Sequence, residues 1–465
     1  QWVLYNTTVF LAIGTIMKKV SFHTIGCRLN QAETAVLVDR FKGTGYQPVS
    51  FGAPTDLLVV NTCSVTEGAE ADCRSVVRRT LRHSPDAVVA VTGCYAQTGV
   101  EALQKIPGID VIVGNQYKMD LAAFLSEDRG LIKQPEPTVL HTRTLDRDDF
   151  TQDGVGEYGT TRANLKIQDG CNVMCSFCLI PFARGRERSR LFDDAVREAE
   201  ALVRRGHREL VLTGVNIGRF NTASGNVVDL LARLEAIPGL NRIRISSIEP
   251  TTIPDALIEY MAGSKKVCRF VHVPLQSGDD SILKDMNRPY TVKEYLALID
   301  RFVKRIPDVC IGTDVMVGYP GESESQFART VDVIRKGPFA YCHVFSFSPR
   351  PGTPAARLNT QVPKCVIKLR SQQLSQLSRL KRVGFYQRFI DSRVSVLFES
   401  QDSRGVWTGL TDNFIKVGVR SSEPLTNQVH TVCIGGVMDG LALGELVKKE
   451  PSTRNQSVLP MVVPS

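Results

Sequence analysis

The sequence predicts an α/β protein in three parts: an N-terminal parallel α/β domain, a partial (β/α)6 barrel and a small C-terminal antiparallel β-barrel. Strand–helix alternation from Lys18 to about Leu125, resuming from about 162 to 390, predicts the first two parts, because such alternation builds parallel sheets with helical crossovers. A change to short alternating strands after Arg393 predicts the third. The chain has 465 residues, 43% hydrophobic and 23% charged, which suits a soluble globular protein of roughly two to four domains.

Residues 1–16 are apolar but lack a basic start, a small-residue cleavage site and the length to cross a bilayer. They are expected to be an extension outside the fold, with Met17 the more natural start. Within 17–125, Lys19–Thr24, Leu57–Asn61, Ala87–Thr92 and Asp110–Val113 read as short buried strands. Asn30, with Glu33 three residues on, reads as a helix N-terminal capping pattern. Residues 126–160 are charged and turn-rich, as a linker would be.

In 161–391 the candidate strands are Asn164–Gln168, Glu209–Thr213, Arg242–Ser247, Arg269–Val273, Val309–Asp314 and Tyr341–Phe345. Six units fall short of the eight of a full barrel, so the barrel is expected to be partial. In 392–450 the strands are Val394–Phe398, Trp407–Leu410, Phe414–Val417 and Val429–Ile434, a pattern that often binds oligonucleotides. Residues 451–465 read as a polar tail with no membrane anchor.

The formal net charge of +9 favours a polyanionic partner such as RNA. Twelve cysteines without a convincing export signal point to the cytoplasm, where clustered thiols bind metal or do redox chemistry more often than they form disulfides. The strongest signal is Cys171-Asn-Val-Met-Cys175-Ser-Phe-Cys178. Three thiolates in a loop after a strand can hold three irons of a 4Fe-4S cluster and leave the fourth iron open to a small molecule. A zinc site would want four ligands, and no fourth Cys or His lies nearby.

Cys27, Cys63 and Cys94 follow the first three expected strands of the N-terminal domain. Parallel strands deliver their C-terminal ends to one sheet edge, so these thiols can converge on a metal centre. On the residues alone, buried core thiols remain the alternative. Cys268, Cys310, Cys342 and Cys433 lie in or beside apolar strands and read as buried thiols; Cys73, in the helix after Cys63, shows no ligand pattern.

The Cys171–Cys178 loop resembles the radical S-adenosylmethionine superfamily. Gly26-Cys27-Arg28-Leu29-Asn30, Asn61-Thr62-Cys63 and Thr92-Gly93-Cys94 resemble the N-terminal domain of methylthiotransferases. The resemblance covers residues 18–447 in that family's order: cluster domain, radical domain, then the small barrel called TRAM. It implies two 4Fe-4S clusters, one on Cys171, Cys175 and Cys178 and an auxiliary one on Cys27, Cys63 and Cys94. It implies S-adenosylmethionine as cofactor, with Phe177 bordering the adenine and Gly214 near the methionyl amino group. Ser246, Glu249 and Asp314, at C-terminal strand ends, are the further candidate cofactor-binding residues. No acid–base role falls to any of them.

By the same resemblance one S-adenosylmethionine methylates sulfur at the auxiliary cluster, and a second yields the radical that takes hydrogen from an unactivated aromatic carbon. The implied partners are tRNA, a reducing electron donor such as flavodoxin or ferredoxin, and a sulfur donor. Gly26–Gln31 and Gly409-Leu410-Thr411-Asp412-Asn413-Phe414 resemble the branch acting at C2 of N6-threonylcarbamoyladenosine at position 37 of tRNA, in its bacterial form without a membrane segment. The rivals are action on N6-isopentenyladenosine, a radical enzyme of other chemistry, and a non-catalytic iron–sulfur RNA-binding protein. Arg184, Arg186, Arg188 and Arg190, and the stretch Gln361–Ile390 with seven Lys or Arg and no acid, are candidates for RNA contact. Phe398, Trp407 and Phe414 are candidates for base stacking, each equally suited to the core.

Overall fold

The computed structural model describes residues 17–447 apart from 65–66, 127–131, 134, 144, 146–155 and 157–158. The expected extension at 1–16, the tail at 451–465 and much of the linker lie outside the described residues. The described chain forms two compact units, one running to residue 382 and including 412–414, the other comprising 383–411 and the residues from 415.

The first unit opens with a six-stranded sheet made of β1 (Lys18–Thr24), β2 (Tyr46–Val49), β3 (Leu57–Thr62), β4 (Val88–Gly93), β5 (Val111–Val113) and β6 (Thr138–Leu140). The order is β2-β1-β3-β4-β5-β6 and every pairing is parallel. β3 and β4 are buried along their whole length, as the central strands of a sheet covered on both faces must be. The two edge strands escape a reading by pattern. β2 carries Pro48 and is four residues long. β6 lies inside the expected linker, so that these three linker residues belong to the sheet.

The capping reading of Asn30 and Glu33 is corrected. Helix α1 runs Arg28–Phe41 with Cys27 at its N-cap and no side-chain cap bond. Asn30 instead donates to the carbonyls of Ile25 and Thr62, both at 2.9 Å. Glu33 is buried and turned toward three cations.

The same unit continues with β7 (Arg162–Lys166), β8 (Glu209–Thr213), β9 (Arg242–Ile245), β10 (Phe270–His272), β11 (Cys310–Val317) and β12 (Tyr341–Ser346). They form two parallel three-stranded groups, joined by a parallel bridge between Ser247 and His272. This is the expected partial barrel. Its main core is a cluster of aliphatic and aromatic side chains from strands and helices, with a smaller cluster around Tyr319 and Phe347. Capping boxes at Asn226, Thr291 and Ser323 define the starts of three of its helices.

The second unit is a closed barrel of β13 (Arg393–Gln401), β14 (Val406–Thr411), β15 (Lys416–Arg420), β16 (Val429–Met438) and β17 (Leu441–Leu446). All pairings are antiparallel except β15 with β17. The expected strand beginning at Phe414 starts later, because Phe414 itself has φ +65 in the preceding turn. β17 was not anticipated; Asp439-Gly440, both at positive φ, turn the chain tightly into it. No described helix is long and apolar enough to cross a membrane.

Candidate active site

The Cys171–Cys178 loop follows β7 and is held by its own backbone and by its neighbours. Cys171 N–H donates to the Gly185 carbonyl at 3.1 Å, and Cys178 N–H to that of Cys175 at 3.1 Å. Each sulfur faces a donor. Val173 N–H lies 3.4 Å from Cys171 Sγ, Ile180 N–H 3.4 Å from Cys178 Sγ, and Arg288 Nη1 3.1 Å from Cys175 Sγ. Burial pushes all three thiols up, Cys178 to about 12. Such sulfurs become thiolates when a cation replaces the proton, and the donors around them suit anionic sulfur.

Cys63 and Cys94 follow β3 and β4 directly, and Cys27 stands three residues past β1. The register pairs Thr24 with Asn61 and Thr62 with Gly93, so the three thiols leave neighbouring strands at one sheet edge. A Cβ added to Gly26 would lie 2.8 Å from Cys63 Sγ, which shows how closely the Cys27 turn approaches Cys63. Cys63 and Cys94 are buried and Cys27 is exposed. Among the described residues, His272, Asp314 and His343 alone gather three ligand atoms within 4.8 Å of one another. Three thiols in a set are the donors that hold three irons of a 4Fe-4S cluster.

Arg184 ties the sheet domain to the partial barrel beside Cys27 and Cys94. It lies in electrostatic range of Cys94 and Cys27, and burial opposes its charge while Cys94, Glu33, Asp169 and Cys27 restore it. Its guanidinium contacts Glu33 at 2.9 Å, Asp169 at 3.1 Å and Asn30 at 2.6 Å. Glu33 also takes Lys118 at 2.7 Å and Lys166 at 2.8 Å.

A cavity of about 690 Å³ lies beside the loop. Phe177, Cys178, Gln276, Asp314 and Phe347 line it, and so does Ser64, the residue after Cys63. One space is thus bounded by both cysteine-bearing segments.

Residues 165–334 match the radical SAM superfamily, and residues 19–114 match a family described as uncharacterized protein family UPF0004. The chain is 36% identical to threonylcarbamoyladenosine tRNA methylthiotransferase MtaB of Bacillus subtilis, over 90% of this chain and 94% of that one. It belongs to the radical S-adenosylmethionine methylthiotransferase family. The MtaB protein of Aquifex aeolicus is 35% identical over 86% of this chain and 96% of its own. The tRNA-2-methylthio-N(6)-dimethylallyladenosine synthase of Fusobacterium nucleatum is 33% identical over 93% and 100%. The radical S-adenosylmethionine methyltransferase TsrM of Kitasatospora setae shares the fold, with TM-score 0.54 and 18% identity over 73% of this chain and 77% of that one. Membership in the superfamily brings S-adenosylmethionine and a 4Fe-4S cluster with it.

In this methylthiotransferase the expected cofactor-binding residues are placed unevenly. Phe177 and Asp314 line the cavity; Gly214, Ser246 and Glu249 do not. Glu249 is ion-paired to Arg288, the arginine on Cys175. Gly214 sits against Gln168, whose side chain a Cβ there would meet at 3.0 Å. Ser246 is half-buried just past β9, its N–H on the Leu212 carbonyl. Asp314 is held by His272 Nε2 at 2.8 Å and His343 Nδ1 at 3.3 Å. Burial raises the Asp314 carboxyl, but hydrogen bonds from the two imidazoles bring it down to about 2. His343 was not anticipated, although it faces Asp314 across the β11–β12 register.

Several RNA candidates of the methylthiotransferase are corrected. Arg184 and Arg190 are buried, the latter paired with Asp194 and Glu198. Arg188 is bound to Asp169; Arg186 is exposed. Phe398 and Trp407 are buried in the barrel, where no base can stack on them. Cys268, Cys310 and Cys342 are buried as expected, whereas Cys433 is half-buried.

Proposed function

We propose that this methylthiotransferase adds a methylthio group to C2 of N6-threonylcarbamoyladenosine at position 37 of tRNA. The observation that carries the reading is the single cavity bounded by Cys178 on one segment and Ser64, next to Cys63, on the other. The identity to the two MtaB proteins supports the nucleoside. In this reading Cys171, Cys175 and Cys178 hold one 4Fe-4S cluster and Cys27, Cys63 and Cys94 a second. When bound, the clusters and S-adenosylmethionine supply the radical that removes hydrogen from carbon and the methylthio group that replaces it.

The chain's own part is to position and to exclude. Phe177, Met316 and Phe347 offer an apolar wall for an aromatic base and keep water from it. Arg288 orients Cys175 and is itself fixed by Glu249. The network centred on Arg184 holds the two cysteine-bearing segments in register. A flavodoxin- or ferredoxin-like reductant, a sulfur donor and a cytoplasmic setting complete the proposal.

The similarity to the Fusobacterium nucleatum enzyme favours N6-isopentenyladenosine as the second reading. Mass spectrometry of tRNA nucleosides separates the two. Deleting the gene is expected to remove 2-methylthio-N6-threonylcarbamoyladenosine and to accumulate its unthiolated precursor, both restored by the gene. Loss of the isopentenyl product instead would replace the first reading with the second, and no change in either would defeat both.

A further inference from the structure

One face of the helix Lys364–Gln387 lines the cavity. Lys364, Lys368, Ser371 and Gln372 recur on it at i, i+4, i+7 and i+8, the spacing of a single helical stripe. Ser348 and Arg350, from the segment after β12, line the same space. The Ser348 hydroxyl oxygen is buried and, among the described residues, has no hydrogen-bond partner. A buried polar atom of that kind calls for one.

Three other cations of the helix are engaged elsewhere. Arg370 is buried against Glu322, Lys381 donates to the carbonyls of Arg335 and Gly337, and Arg382 stacks on Tyr341. Lys364 and Lys368 have no ion-pair partner among the described residues. The carboxylate on the cavity wall, Asp314, is already answered by two imidazoles.

We propose that Lys364 and Lys368, with Arg350 and Ser348, form an anion subsite for the carboxylate on the N6 substituent of the substrate nucleoside. This rests on the threonylcarbamoyladenosine reading and names the residues that enforce it. The threonylcarbamoyl group ends in a carboxylate and a hydroxyl, whereas the isopentenyl group is a hydrocarbon. A wall of ammonium, guanidinium and hydroxyl groups gains charge-assisted hydrogen bonds from the first and is desolvated without return by the second. A backbone phosphate of the RNA presents the same chemistry, so the test must tell the two anions apart.

Full-length reconstituted enzyme is titrated by fluorescence anisotropy with synthetic anticodon stem-loops. These carry adenosine, N6-threonylcarbamoyladenosine or N6-isopentenyladenosine at the target position. The double variant Lys364→Ala, Lys368→Ala is expected to bind the threonylcarbamoyl RNA about tenfold or more weakly, with the other two RNAs unchanged. The paired Lys→Arg variant is expected to retain the preference, which separates charge from misfolding. Equal weakening for all three RNAs would assign the lysines to phosphate and overturn the proposal, as would no weakening at all. Wild-type enzyme that methylthiolates only the isopentenyl RNA would defeat the functional reading itself. Wild-type activity on the threonylcarbamoyl RNA with indifferent variants would defeat the subsite alone.

Discussion

Glu33 belongs to the N-terminal sheet domain yet takes hydrogen bonds from Lys166 and Arg184, which lie 133 and 151 residues away. Burial raises its carboxyl, but Arg184, Lys118 and Lys166 outweigh burial and hold it well below the usual range. Asp169 is treated alike by Lys166, Arg184 and Arg188. Carboxyls held down in this way stabilise the fold fully above about pH 5 and lose that contribution as the pH falls through their depressed values. Glu33→Gln, which leaves three buried cations short of a charge, is expected to cost about 3–5 kcal/mol at neutral pH. Thermal melts in steps from about pH 7 down to about pH 2 check it: the variant should melt lower at neutral pH and lose less on acidification than the wild type. Equal acid sensitivity would assign the pH dependence to other carboxyls.

At this scale the sequence was only half legible. The cysteines announce themselves by spacing and by their place after strands. The role of Glu33 does not, because its neighbours in sequence imitate a helix cap while Lys166 and Arg184 come from a distant strand and a distant short helix. His343 stayed hidden for the same reason: it acts through the register that sets it opposite Asp314.

Among the elements, the turn between β4 and the following helix (α2, Cys94–Thr98) carries the most specific demand. Gly93 has φ +101, and a Cβ there would lie 2.4 Å from the Thr62 carbonyl oxygen. Backbone on both sides leaves no room, and an L side chain at that φ adds about 1–2 kcal/mol of its own. Gly93→Ala is therefore expected to displace Cys94 and cut the iron bound per chain by about half, with the Cys171–Cys178 loop still loaded. Full iron in the variant would contradict a ligand role for Cys94. Buried central strands were readable from their apolar runs; the edge strands Tyr46–Val49 and Thr138–Leu140 were not, being short and bordered by polar turns. The basic helix was legible as a charge excess, but which cations face the cavity depends on its rotation against the barrel.

For the whole molecule, the decisive arrangement is that the sheet domain and the partial barrel form one compact unit, with Cys178 of one and Ser64, the residue after Cys63, of the other lining one cavity. Division of labour follows from it. The Cys171–Cys178 loop should work without the other triad, since its donors, Arg288, Val173 and Ile180, all belong to the partial barrel. Methylthio transfer should need both. The most direct measurement uses reconstituted Cys63→Ala enzyme on threonylcarbamoyl-modified RNA under reduction, with 5′-deoxyadenosine and methylthio nucleoside quantified together. Continued formation of 5′-deoxyadenosine with no methylthio nucleoside is expected; methylthio product at the wild-type level would contradict a role for Cys63 in the transfer.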